Sequence, residues 1–471
     1  MFETLRGTNR RAGGKGCRRL LAATAFVTTL VVPLVAAQAP AGAANGGVTV
    51  TSFHMPTSTD ARAITAGPDG ALWFIEGFST TARIGRVATD GSFTFYSDPA
   101  IGGPTSITTG PDGALWFTDF SNNSIARITT HGTVTSYADP TISAPEDITA
   151  GPDGALWFVD AAGGALNQGS IGRVDTDGTI TNYTDPTIDA PFGITAGSDR
   201  ALWFTNSNNN SIGRITTDGT ITNYTDPTID APFGITAGPD GALWFINSDS
   251  IGRITTNGVV SRYTVPNFSG IYQPRQITAG PDGALWFTNL QDSPGHGSIG
   301  RITTSGFATN YTDPAIDSPN YITAGPDGAL WFSNGGFVDP SADSIGRITT
   351  PPPTVVPFGG GVSESATGTS QLDITVTLSQ PSTQIVTAQW NTVFINGASN
   401  AQAIPGTDYT PASGTVTFPP GETTETVPIT VLNHDLGMPY KLLVVSFHNP
   451  TNGIMGGYLG LGFGFLINNT S

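Results

Sequence analysis

Two positions recur seven times along this chain and change residue type between copies. The first directly follows a residue that is usually Pro, and reads Arg62, Thr105, Glu146, Phe192, Phe233, Arg275 and Asn320. The second lies two residues beyond a Trp-Phe pair, and reads Glu76, Asp119, Asp160, Asn206, Asn247, Asn289 and Asn334. The carboxylates of Glu76, Asp119, Glu146, Asp147 and Asp160 could hold a divalent cation or accept a proton. Phe192 and Phe233 offer apolar surface, and Arg275 and Arg62 offer positive charge. That mixture suits a medium-sized amphipathic ligand or a peptide. The frame around these positions repeats while they vary, so recognition is expected here. The competing role for their Asp and Asn is closing turns.

The frame that must position them is a repeated unit, Ile-Thr-Ala-Gly-Pro-Asp-Gly-Ala-Leu-Trp-Phe followed by Ile-Gly-Arg-Ile-Thr-Thr and Asp-Gly-Thr-Ile-Thr-Asn-Tyr. Trp73, Trp116, Trp157, Trp203, Trp244, Trp286 and Trp331 mark the copies, at spacings of 43, 41, 46, 41, 42 and 45 residues. A period near that length with Gly-Asp turns reads as a propeller blade or a solenoid turn. Each copy holds four short strands. Pro-Asp-Gly makes the first turn, with Pro presetting φ and Gly accepting positive φ. Ala242-Leu243-Trp244-Phe245 reads as a strand buried on both faces. Asn257-Gly258 reads as a hairpin turn. The seventh copy ends at Thr350 without a fourth strand, and Val48 to Phe53 supplies a spare one at the other end. The two ends together predict ring closure, which leaves few open edges. The expected fold is all-β, with a seven-bladed propeller over residues 46–350.

Composition bounds the setting. The 471 residues include 60 Gly and 35 Pro, which excludes a mostly helical chain. Arg6, Arg10, Arg11, Lys15, Arg18 and Arg19 precede an apolar run from Leu20 to Val35 and small residues to Ala44. This order predicts a secretory signal over 1–44, cut after Ala43 or Ala44. The formal charge of −17 becomes −22 without it, with 13 basic and 35 acidic residues left. Nucleic acid and anionic membranes are poor partners for such a chain, since both favour Lys and Arg, and no nucleic acid partner is expected. The single Cys17 lies in the leader, so disulfides and Cys-based zinc sites are excluded. No later stretch is apolar enough to span a bilayer. A secreted, extracellular monomer is expected.

Beyond residue 350 the texture changes. Pro351-Pro352-Pro353 opens an expected linker over 351–359. From 360 to 471, Leu372, Ile374, Val376 and Leu378 alternate with polar residues, as do Val427, Ile429 and Val431, predicting a β-sandwich.

The repeated unit resembles the virginiamycin B lyase (streptogramin lyase) family over about 300 residues. That resemblance implies a propeller that opens a cyclic depsipeptide antibiotic by elimination at an ester, helped by Mg²⁺. Such chemistry needs a base for an α-proton and a cation for the developing enolate. The family's Glu-Pro-His-Gly-Ile-Thr segment corresponds to Ser318-Pro319-Asn320-Tyr321-Ile322-Thr323 here. Its second carboxylate corresponds to Asn334 and its second His to Arg275, so the base and the acidic ligands are replaced. The segment from Val362-Ser363-Glu364 through Gly406-Thr407-Asp408-Tyr409 to His448-Asn449-Pro450 resembles a Calx-beta domain. That resemblance implies a Ca²⁺ site on Glu364, Asp408 and Asp435 and a role in adhesion or cell communication. The resulting expectation is a secreted binding protein whose propeller face takes a small molecule, a peptide or a surface component. The alternative is a lyase-like or lactonase-like enzyme using a divalent cation on Glu76, Asp119, Glu146 or Asp160.

Overall fold

The computed structural model describes residues 30–31, 47–56, 60–78, 81–162, 168–264, 274–292, 296–335, 343–363, 368–394, 402–433, 439–456 and 460–468. Apart from the backbone of Leu30–Val31, which pairs with Thr94 and Phe95, the expected signal lies outside the described residues.

Seven antiparallel sheets carry the repeats, each built of an inner, a second, a third and an outer strand. In the fourth copy these are Pro191–Ala196, Leu202–Asn206, Ser211–Ile215 and Ile221–Thr225. The inner strands contact one another in chain order, and Pro319–Ala324 of the seventh returns to Ala61–Ala66 of the first. The ring is thus closed. Val50–His54 is the outer strand of the seventh sheet, pairing with Ser344–Ile348 so that Phe53 lies opposite Ile345. Phe53 stacks on Trp331 at 5.3 Å, as Tyr224 stacks on Trp203 inside the fourth blade.

The seven tryptophans are fully buried, and their indole N–H groups find acceptors close by. In the fifth blade the Pro-Asp-Gly aspartate, Asp240, accepts the Trp244 Nε1–H at 3.1 Å through one oxygen and the Arg253 Nε–H at 2.7 Å through the other. Burial works against its charge, but these donors outweigh it and hold the carboxyl below the usual range. The same Asp, Trp and Arg connect the turn to the second and third strands in all seven blades, from Asp69, Trp73 and Arg86 to Asp327, Trp331 and Arg347. These aspartates are therefore more than turn formers.

The fourth copy has Ser198-Asp199-Arg200 where the others have Pro-Asp-Gly. Arg200 takes φ 61°, in the region that Gly occupies elsewhere at 70–78°.

The C-terminal part is two facing sheets. One has the order Thr424–Leu432, Thr369–Leu378, Thr354–Pro357, Ile454–Met455. The other has Gly360–Ser363, Leu461–Ile467, Tyr440–Thr451, Val386–Val393, Ser413–Phe418. Leu372, Ile374, Val376, Val427, Ile429 and Val431 all point into the shared core, as their alternation predicts. The linker is shorter than expected. Thr354–Pro357 is a strand, because Val355 is fully buried and pairs with Leu378.

This part meets the propeller at the end of the channel formed by the Pro-Asp-Gly turns. Arg301 donates to Gln380 at 2.8 Å, and a methyl group placed on Gly283 or Gly328 would press against Pro381 or Thr383. A crevice of about 490 Å³ lies at this junction, lined by Asp327, Arg347, Thr349, Pro352 and Thr383 among others. The opposite end of the channel, where both variable positions sit, faces away from the sandwich.

Candidate functional site

In six blades the inner strand begins with a bulge, while in the fifth it is shortened to Ile235–Ala237 and pairs without one. In the third blade the register shifts between Pro145 and Ile148, and the two residues inside the shift are Glu146 and Asp147. A bulge re-aims side chains, and here it sends one residue of each such blade to the channel mouth. The residue before that Pro has positive φ in four blades, at Ala144, Ala190, Ala231 and Ser318. This left-handed turn directs the chain from the loop into the hub.

The structure separates the two variable positions. The second position is not on the ligand-accessible face. Asn206 accepts the Asp189 N–H at 3.2 Å and donates to Thr187 O and Ser211 Oγ. Asn247 and Asn334 repeat that pattern, with Asn334 accepting from Asp317 N and donating to Ala315 O and Ser344 Oγ. Asp119 accepts the N–H groups of Gly102 and Gly103, both at 2.8 Å. Glu76 is buried against Arg83 in a pair with contacts down to 2.6 Å. Asp160 is fully buried beside Ser170, with one carboxylate oxygen unpartnered. Burial pushes its carboxyl up to about 7, against opposing hydrogen bonds from Ser143 and Ser170. These residues were expected to face a ligand, and the turn-closing role prevails instead. Asp119, Asn206, Asn247 and Asn334 satisfy loop backbone that would otherwise be buried without partners, and Glu76 is held by a side-chain pair.

The first position does form the mouth. Arg275 is exposed, and among the described residues it has no hydrogen-bond or ion-pair partner. Arg62 is half-buried, donates to Asp60 at 3.0 Å and lies over the Phe78 ring at 4.8 Å. Between them in blade order sits Asn320, buried to 4% exposure with its amide oxygen unpartnered. Phe192 and Phe233 meet edge to face at 5.1 Å. Thr105 is taken up by Thr118 Oγ1 at 2.8 Å and Pro145 O at 3.0 Å, so it positions strands. Glu146 is half-buried, and among the described residues its carboxylate has no hydrogen-bond or ion-pair partner. Burial and then the neighbouring Asp147 charge push its carboxyl up to about 7, partly offset by Arg62.

Two hub residues follow the first variable position: Asp147, one of the carboxylates to which the sequence points, and Tyr321, to which it does not. Asp147 accepts from Ser106 Oγ at 2.6 Å, Ile148 N at 3.0 Å and Ile194 N at 3.0 Å, joining blades two, three and four. Burial raises its carboxyl against these hydrogen bonds. Tyr321 packs against the first blade from the seventh. Burial raises its hydroxyl, the Asp147 and Glu146 charges raise it further, and Arg275 and Arg62 lower it. Both residues are half-buried. The available signal was the residue after the first position, which reads Ala63, Ser106, Asp147, Gly193, Gly234, Gln276 and Tyr321. Asp and Tyr are the large, chemically active members of that set.

The residues at the sixth and seventh blades do not fit a Mg²⁺ ion. Asn334 has both amide atoms engaged, Ser318 is buried with its hydroxyl on Asp317 at 3.3 Å, and Arg275 is a cation. Asn320 alone retains a free oxygen. Among the described residues no three His, Cys, Asp or Glu side chains converge on a metal position. This also corrects the expected cation site on Glu76, Asp119, Glu146 and Asp160, which lie in separate surroundings. His54 and His131 lie on the outer strand of the seventh blade and in an outer hairpin of the second, away from the mouth. In the sandwich, Asp408 accepts two hydrogen bonds from Lys441 Nζ, both at 2.9 Å, and one from Ile404 N at 2.6 Å. It is neutralised and fully buried, so it is not an open Ca²⁺ ligand. Glu364 and Asp435 lie outside the described residues.

Comparison with known proteins places this geometry. A search of curated proteins finds no match. A streptogramin B lyase structure is 34% identical, covering 64% of this chain and 97% of its own, with a TM-score of 0.56. A catalytically inactive histidine-to-alanine variant of virginiamycin B lyase from Staphylococcus aureus, solved with quinupristin, is 35% identical over 64% of this chain and 99% of its own, with a TM-score of 0.57. The extracellular domain of a one-component system from B. thetaiotaomicron shares the fold at 12% identity, covering 89% of this chain and 58% of its own, with a TM-score of 0.51. The sequence model of the virginiamycin B lyase family matches residues 41–190 and 164–355, and the chain belongs to that family.

Proposed function

We propose that this chain is a secreted ligand-binding member of the family, taking a medium-sized amphipathic ligand or peptide at the channel mouth without cleaving it. The observation that carries this reading is the uneven ring. Positive charge at Arg62 and Arg275, an aromatic pair at Phe192 and Phe233, and a carboxylate at Glu146 occupy different arcs of one opening. Convergent polar groups beside apolar surface mark a recognition site. Elimination needs a base at the reacting carbon. The positions the family uses for it hold Asn320 and Arg275, neither of which takes a proton from carbon at neutral pH. The sandwich, docked at the far end of the channel, serves as a Calx-beta-like spacer or adhesion module that leaves the mouth open. Among the described residues no helix is long and apolar enough to cross a membrane, in keeping with an exported chain.

The test uses quinupristin and a panel of short amphipathic peptides, followed by thermal shift, with intact mass measured after incubation with Mg²⁺. Ligands of the native state raise the melting temperature by mass action. The reading expects at least one binder whose shift disappears in the Phe192→Ala/Phe233→Ala double variant, and quinupristin recovered intact. Linearised quinupristin, or shifts indifferent to every mouth substitution, would overturn it.

A further inference from the structure

The two outer faces of the sandwich are built from different residues. On the sheet that holds Thr369–Leu378 and Thr424–Leu432, the paired residues turned away from the core are Gln371, Asp373 and Thr375 on one strand and Thr430, Pro428 and Thr426 on the other. Such a face suits water, as is usual for one side of an antiparallel sheet. The facing sheet does the opposite. Its strand Leu461–Ile467 turns Leu461, Phe463, Phe465 and Ile467 outward, while the residues between them are buried. Across from the last three on Tyr440–Thr451 stand Val444, Leu442 and Tyr440, on the same outer face. Val444 is buried without belonging to the sandwich core, so its cover comes from these outer neighbours. The Tyr440 and Phe465 rings meet at 6.1 Å. This apolar half of the sheet is remote from the propeller, because the crevice at the junction is lined by Gln384 and Asn452, next to the opposite ends of Val386–Val393 and Tyr440–Thr451.

Tyr440, Phe463, Phe465 and Ile467 are 52, 39, 45 and 42% exposed. At roughly 200 Å² for a large side chain, these four leave about 350 Å² of apolar surface in water. The half-buried Leu442 and Leu461 bring the patch to about 450 Å², at the upper range of what a monomer shows. A standard interface covers about 800 Å² on each partner, a little over half of it apolar, so the patch matches the apolar share of one such side. Its surface is an open sheet face, and sheets pack face to face with other sheets.

Charge selects the occupant. The five strands of this sheet contain no Asp, Glu or Arg, and their one Lys, Lys441, is turned inward to Asp408. A chain with a formal charge of −17 repels its own copies over much of its surface, and this face is where that repulsion is absent. A foreign partner of so acidic a chain would be steered by basic residues, and the face offers no charge for them to meet. A two-fold operation lays the same patch on both copies against itself, which an uncharged row permits.

We infer that this face joins two copies of the chain, sheet on sheet, through the row of Tyr440, Phe463, Phe465 and Ile467. The protein is then a dimer in place of the monomer expected from its sequence. The channel mouths face away from the sandwich and stay open in both copies. This inference does not depend on what the mouth binds.

The experiment follows the mass of the full mature chain by sedimentation equilibrium as its concentration rises. The native chain is expected to double its mass between about 0.1 and about 50 µM, the range in which an interface of this size assembles. Phe463→Thr/Phe465→Thr gives this face the residue that the other face shows to water and keeps strand preference. It should raise the midpoint concentration at least about 100-fold, because both copies lose their anchors. Tyr440→Glu should have the same effect by setting like charges against each other across the two-fold. Circular dichroism checks that both variants fold. Phe307→Thr removes a side chain that is 70% exposed on an outer hairpin of the sixth blade, and should leave the midpoint unchanged. A native chain that stays a single copy throughout this range overturns the inference, as does a dimer that either folded variant leaves intact. A monomeric chain that sediments with phosphatidylcholine vesicles overturns it as well, and assigns the face to a membrane.

Discussion

Asp160→Asn converts the third blade to the residue that blades four to seven already have at this position. Asp160 is fully buried, one of its oxygens has no partner, and its carboxyl is pushed up to about 7 by burial. An unfolded aspartate ionises near 3.8. Between these values the folded chain keeps a proton that the unfolded chain has lost, so stability falls as pH rises and levels off above 7. At about 1.4 kcal/mol per unit, the cost is about 1.5 kcal/mol at pH 5 and about 4 kcal/mol at pH 8. Asparagine carries no such cost, and its amide can repeat the bonds that Asn206 makes to loop backbone and to a Ser hydroxyl. The substitution should therefore stabilise by about 2.5 kcal/mol more at pH 8 than at pH 5. Urea denaturation of both proteins at the two pH values measures this, and the Glu146 contribution cancels because both proteins share it. A variant as pH-dependent as its parent, or destabilised at both values, would refute the assignment of this position to loop closure and restore it as a candidate ligand group.

Other perturbations probe separate parts of the account. Arg200→Gly should raise stability by about 1 kcal/mol in urea denaturation, because a side chain at φ 61° pays for a conformation that Gly adopts freely. Phe53→Ala removes the stack on Trp331 that joins the two chain ends and should cost about 3 kcal/mol, read from the same transition. Lys441→Ala leaves the buried Asp408 charge alone and should cost about 3–5 kcal/mol, with no rescue by Ca²⁺ in a thermal scan. Carboxyl NMR should find Glu146 titrating near pH 7, and Asp147→Asn should move it downward because a repelling charge is gone.

The frame was legible because its signals are local. The Trp spacing, the Pro-Asp-Gly turns and the spare strand at Val48 to Phe53 each follow from chain chemistry within a few residues, and together they fix a closed ring. The aromatic pair Phe192–Phe233 was equally legible, since neighbouring blades place equivalent residues side by side. The second variable position was misjudged because sequence cannot show which way a side chain turns at a loop. Glu76, Asp119 and Asn334 vary in type yet all bind loop backbone or a neighbouring side chain. Asp147 joins three blades through hydrogen bonds to residues 41 and 47 positions away, and no local pattern announces such a contact. The Asp408–Lys441 pair was likewise hidden by 33 residues of separation. The strand at Thr354–Pro357 was masked by the prolines around it.

The most direct test is a crystal structure of the mature chain with a bound peptide from the panel. The account predicts ligand density over the channel mouth, touching Arg275 and the Phe192–Phe233 pair, with the peptide uncleaved. Density confined to the crevice between the seventh blade and the sandwich, or a metal ion held at the mouth beside a cleaved ligand, would contradict it.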